Sequence, residues 1–172
     1  MVTAPKLQNT QPDYTKAIEA ADKLLRDNQI TKPPVPLVEL ATNHGYSVQI
    51  GVFPNDLLNV CGYIDINKKV IMTNASDSPN RRAFTIAHEL GHLLLHEDEL
   101  RFNSDLGVML RAPLGKQELD PREKEANAFA ANLLVPAKML KPYIEEPDRV
   151  IAALFGVSED VIRYRKLSLQ KI

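Results

Sequence analysis

Two histidines four residues apart, with a glutamate directly after the first, form the run His88-Glu89-Leu90-Gly91-His92. On a helix these histidines share one face, about 40° from each other around the axis. Neutral imidazole is the commonest zinc ligand, so such a pair can grip a single ion. Glu89 then stands beside the ion rather than on it, placed to take a proton from a metal-activated water. The spacing points to a zinc-dependent peptidase. Two satisfied histidines on an ordinary helix are the alternative, and the surrounding elements must decide between them.

Those elements favour a helix. Residues 81–97 contain no proline, and Ser78-Pro79 just before them reads as a helix start. Ala83, Ile86, Ala87, Leu90, Leu93 and Leu94 fall in one stripe, roughly opposite the two imidazoles. Phe84 and Leu95 flank the imidazole side and would shield it from bulk water. Gly91, also on that side, leaves room either for a ligand or for a close backbone, at a cost of up to about 1 kcal/mol against alanine.

The chain is 172 residues long, enough for a substantial core, with 44% hydrophobic and 25% charged residues, as in soluble globular proteins. A formal net charge of −1 gives no general attraction to nucleic acid or anionic membrane. The single cysteine, Cys61, has no partner for an internal disulfide and reads as a small core residue. There is neither a signal-like start nor an apolar run approaching the roughly 18 residues of a membrane span. A cytoplasmic protein is expected.

Residues 1–13 read as a flexible tail, and 14–172 as one domain. A helix is predicted over 14–27 on the stripe Ala17, Ile18, Ala21, Leu24 and Leu25, and a short one over 37–43. Strands are predicted over 46–53, 60–66 and 69–73, the last two joined at Asn67-Lys68. The strand over 70–73 could pair with an extended substrate, unless it is an interior strand. Segment 98–118 carries no clear element and reads as a lid, a binding loop or a plain connection. Helices follow over 121–135, 137–144, 147–155 and 158–166. Early strands and late helices argue an α+β fold, with a small N-terminal antiparallel sheet packed on a mainly helical body.

A catalytic zinc takes three protein ligands. His96 lies one further turn along the axis, too far for the same ion, and suits a supporting or surface role. The third ligand must come from elsewhere. Helix 121–135 offers Glu123 and Glu125, about 160° apart around its axis, so one of them at most can serve. Helical geometry leaves the choice open. Both could equally be solvated carboxylates in the first turns.

The run from His88 to His96 (HELGHLLLH), followed by Glu123 to Pro136 (EKEANAFAANLLVP), resembles the ImmA/IrrE family of metallo-endopeptidases, over roughly residues 35–168. The resemblance implies a compact zincin-like domain with His88 and His92 as ligands and Glu89 as acid/base. It also implies Glu125, directly before Ala-Asn, as third ligand. It further implies a protein substrate, a helix-turn-helix repressor or antitoxin. Zn2+ suits a His/His/Glu set, and Mn2+ or Fe2+ is compatible with it. Tyr143 is a candidate for a second electrophile, against a packing role.

A reading from another class rests on residues 148–168. Val150–Phe155, Gly156 and Ser158 have a helix-turn-helix look, with Arg163, Arg165 and Lys166 on the second helix. It would make the chain a DNA- or repressor-binding regulator with a structural metal site. The absence of a basic face elsewhere argues against direct nucleic-acid binding.

Overall fold

The computed structural model describes residues 11–54, 57, 60–98, 108–111 and 120–169. Helix α1 (Tyr14–Asp27) starts where the Asp13 side chain accepts the Lys16 N–H, and it buries Ala17, Ala21, Leu24 and Leu25. Helix α2 (Leu37–Asn43) buries Leu37, Leu40 and Ala41. The strands are β1 (Ser47–Gly51), β2 (Gly62–Asp65), β3 (Val70–Asn74) and β4 (Val108–Arg111), in the order β1-β3-β2-β4. Helix α3 (Pro79–Leu95) begins at Ser78, whose hydroxyl accepts the Arg81 N–H.

Helices α4 (Pro121–Leu134), α5 (Ala137–Leu140), α6 (Asp148–Phe155) and α7 (Glu159–Leu169) follow, with a 3-10 turn at Lys141–Tyr143. The fold is α+β, as expected, and no helix among the described residues is long and apolar enough to cross a membrane.

The sheet is mixed rather than wholly antiparallel. β2 runs antiparallel to β3 and to β4, but β1 runs parallel to β3, with Ser47 opposite Val70 and Gly51 opposite Asn74. The chain leaves β1, skips one strand position, and returns through β2, so that β3 slots in between. β3 is therefore an interior strand with both edges filled, and a substrate strand cannot add to it. The hairpin between β2 and β3 is built on Asp65, which accepts the N–H groups of Asn67 and Lys68 while Lys69 takes a positive φ of 54°. Ile64 and Ile71, paired across the two strands, are fully buried.

Segment 98–118, expected as a loop, contributes β4 on the outer side of β2. The rest of that segment beyond Asp98, and tail residues 1–10, lie outside the described residues.

Helix α4 is the structural partner of α3. Its inner face is made of Ala126, Phe129, Ala130 and Leu133, all fully buried. Small side chains on that face let the two helices come close. A Cβ on Gly91 would lie 3.2 Å from the Cα and 3.3 Å from the carbonyl oxygen of Ala126, and 3.0 Å from the Phe129 ring. Of the two readings of Gly91, close backbone approach is the one found.

Candidate metal centre

Helix α3 delivers His88, Glu89 and His92 to the interior, each about 1% exposed. Burying three such groups on one helix is costly unless each meets a compensating partner. Helix α4 supplies partners for the two histidines. The Asp120 side chain accepts the Arg122 N–H and Pro121 follows at the first helical position, which starts the helix just ahead of Glu123. The Glu123 carboxylate reaches Nε2 of His88 and Nε2 of His92, both at 3.1 Å. The two Nε2 atoms are themselves 3.0 Å apart.

The far sides of both rings are held as well. His88 Nδ1 lies 2.9 Å from Oδ1 of Asn127, one turn beyond Glu123 on α4. An amide oxygen only accepts, so the ring proton of His88 sits on Nδ1 and its Nε2 offers a lone pair inward. His92 Nδ1 lies 3.2 Å from Nδ1 of His96.

Two inward nitrogens and a carboxylate so close together repel one another unless a metal ion, or protons on the ring nitrogens, lie among them. Burial would raise the Glu123 carboxyl, but hydrogen bonding to His88 and His92, and their positive charge when protonated, hold it well below the usual carboxylate range. The separations of 3.0 to 3.1 Å are near the roughly 3.3 Å between neighbouring ligands of a tetrahedral ion bound at about 2.0–2.1 Å. The donor set suits a divalent metal ion.

The expected third ligand needs correction. His88 and His92 come together as anticipated, but the carboxylate that joins them belongs to Glu123, not Glu125. Glu125, two residues on and turned well away around the α4 axis, accepts instead from His96 Nε2 at 2.8 Å and from the Asp13 backbone N–H at 2.7 Å. The rotation of α4 follows from the contact of Ala126 with Gly91, which turns the Glu123–Asn127 side toward the imidazoles. His96 is buried and sits behind His92, a supporting position. Glu89 is buried directly beside His88 in the helix.

Asn127 was not anticipated; its spacing of four from Glu123 was the available signal. Tyr143 packs edge-to-face on Phe155, with centroids 6.4 Å apart, the packing role. Cys61 is buried and its sulfur accepts from the Arg81 guanidinium at 3.1 Å.

A cavity of about 650 Å³ opens between the starts of α3, α4 and α7, lined by Arg81, Phe84, Lys124, Asn127, Val161 and Tyr164 among others. Asn127 links it to the far side of His88, away from the converging ligand atoms.

The α6–α7 pair has the expected turn, with Gly156 at φ 68° closing α6. The three basic groups on its second helix are engaged within the chain. Arg163 pairs with Asp148, Glu159 and Asp160, Lys166 with Asp148, and the buried Arg165 donates to the Val135 carbonyl at 2.9 Å. Such a helix presents little free positive charge to a phosphate backbone.

Comparison with known proteins places the chain among metallopeptidases. The peptidase M78 profile, described as the IrrE N-terminal-like domain, matches residues 39–166. Metallopeptidase ImmA of Bacillus subtilis (strain 168) is 31% identical over 134 residues, covering 72% of this chain and 75% of ImmA. An uncharacterized immunity region protein 2 of Bacillus phage phi105 is 29% identical over 171 residues, covering 94% of this chain and 96% of its own. Among solved structures, a Mycobacterium tuberculosis transcriptional regulator shares the fold, with a TM-score of 0.63 at 20% identity, over 88% of this chain. The chain spans 46% of that regulator's length.

Proposed function

Because the chain belongs to the peptidase M78 family of IrrE N-terminal-like metallopeptidases, we propose that it is a zinc-dependent endopeptidase of the HExxH type, with His88, His92 and Glu123 as ligands. The observation that carries this reading is the convergence of two inward imidazole nitrogens and one carboxylate on a single buried point. Two neutral imidazoles and one carboxylate leave a divalent ion with net positive charge.

Zinc in such a site supplies a Lewis acid that polarises a carbonyl and lowers the pKa of water from about 15.7 to about 7. The chain's own residues do the rest. Glu89 accepts the proton of the attacking water and returns it to the leaving amine. Asn127 and His96 hold the two imidazoles with their Nε2 atoms inward.

The substrate we propose is a helix-turn-helix repressor or antitoxin of the same regulatory system, met in the cytoplasm. The test is co-expression with the helix-turn-helix protein encoded beside this chain, comparing wild type with Glu89→Gln, together with metal analysis of both purified proteins. The expected result is about one zinc per chain in both, and a repressor fragment only with the wild type. Absence of metal from the wild type would overturn the site. Zinc without any fragment would leave a repressor-binding protein that does not cut.

A further inference from the structure

Behind the ligand set lies a second chain of contacts that reaches the start of the molecule's first helix. Glu125 uses both carboxylate oxygens: Oε1 accepts the Asp13 backbone N–H at 2.7 Å and Oε2 accepts from His96 Nε2 at 2.8 Å. His96 then turns Nδ1 to Nδ1 of His92 at 3.2 Å, and His92 turns Nε2 to Glu123. His96 and Glu125 are not metal ligands in this geometry, yet every polar atom they offer along this path is directed.

We propose that Glu125 and His96 are positioning residues that fix the tautomer of His92 and so set the metal affinity of the site. The inference rests on the ligand assignment made above. A carboxylate only accepts, so the proton on His96 lies at Nε2. For His92 to ligate through a bare Nε2, His96 must be the neutral imidazole, an acceptor at Nδ1. Two ring nitrogens 3.2 Å apart need one hydrogen between them, and that hydrogen must come from His92 Nδ1. His92 is left with a bare Nε2, the form that ligates. The same logic holds His88 through Asn127, by a single contact instead of two in series.

Glu125 cannot be replaced by its amide without consequence. Both oxygens face donors, the Asp13 N–H on one side and His96 on the other. The amide nitrogen of a glutamine must meet one of them. Where it meets His96, that ring accepts at Nε2 and donates from Nδ1. His92 is then driven to carry its proton on Nε2, facing the metal position. Where it meets Asp13, the backbone N–H that begins α1 loses its acceptor. The relay therefore couples the docking of α1 to the ligand geometry, through Asp13, Glu125, His96 and His92.

The experiment measures zinc dissociation constants by competition with a chromophoric chelator, for the full chain and for Glu125→Gln and His96→Phe. The melting temperature of each metal-free protein and the visible spectrum of each Co2+-loaded protein are recorded alongside. His96→Phe preserves ring volume in a buried position but leaves Glu125 Oε2 and His92 Nδ1 without their partner, so the metal-free melting temperature separates lost stability from lost affinity. The expected result is a loss of about 10–100-fold in zinc affinity in both variants. A changed Co2+ spectrum should accompany it, with affinity lost beyond what any shift in metal-free melting accounts for. Zinc affinity within twofold of wild type in both variants overturns the proposal, as does a loss that merely tracks lowered metal-free stability. A wild type that binds no zinc would instead overturn the ligand assignment itself.

Discussion

Gly91 and Ala126 bring the α3 and α4 backbones into direct contact, with an imagined Gly91 Cβ only 3.2 Å from the Ala126 Cα. This contact sets both the separation and the rotation of the two helices that carry the ligand atoms. His88 and His92 lie three residues before and one residue after Gly91, and Glu123 lies three residues before Ala126. A shift of a few tenths of an ångström here reaches the site almost undiminished.

Gly91→Ala is therefore expected to affect the site more than the fold. Alanine gains up to about 1 kcal/mol of helix propensity, while overpacking a tight core costs about 1–3 kcal/mol. The net expectation is a destabilisation of about 1 kcal/mol, measured by urea unfolding of the metal-free protein. Zinc affinity should fall further than that figure implies, because the added methyl pushes Glu123 away from the two imidazoles. An alanine variant with unchanged affinity would mean that the site is not set by this contact.

Replacing Glu123 separates ligand from support. Glu123→Ala removes one of the three converging donors and should abolish stoichiometric zinc binding, as read by metal analysis after dialysis. Glu125 variants should still load metal, with weakened affinity. The reverse pattern, metal lost in Glu125→Ala but retained in Glu123→Ala, would restore the choice that the family resemblance implied.

That choice shows where the sequence stopped being legible. The HExxH run, its helix, the hairpin after β1 and the proline-bounded helix 121–135 all follow from local pattern, because spacing and caps act over a few residues. Glu123 and Glu125 differ only in which way α4 is turned, and that is decided by a contact with Gly91 more than thirty residues earlier. One clue was present. Ala126, Asn127 and Ala130 share the side of the helix that carries Glu123, and small residues mark the face that approaches another helix. The parallel pairing of β1 with β3 was beyond reach for a related reason, since skipping a strand position leaves no mark in the alternation of either strand.

Glu89→Gln tests the chemistry apart from the metal. Glutamine keeps the size of the buried side chain but has no carboxylate to take a proton, and it touches none of the three ligand assignments. Zinc content should stay near that of the wild type while cleavage falls by at least about 10²-fold, the low end for a general base. A quantitative time course of fragment appearance reads this directly. Cleavage at the wild-type rate would remove Glu89 from the mechanism.

Asp65, at the β2–β3 hairpin, gives a prediction about acid stability. Burial would raise its carboxyl, but the N–H groups of Lys68 and Asn67 and the Lys68 charge outweigh that and hold it below the ordinary aspartate value. A carboxylate with a depressed folded pKa stabilises the fold at pH values above its unfolded pKa of about 3.9, and loses that contribution as pH falls through the folded value. Asp65→Ala should thus cost about 1–2 kcal/mol at pH 7, where both turn N–H groups lose their acceptor. The gap between variant and wild type should hold down to about pH 4 and narrow below it. Urea midpoints of the metal-free proteins at a series of pH values measure this, and a gap that stayed constant at the acid end would place the cost in side-chain packing rather than in the charge.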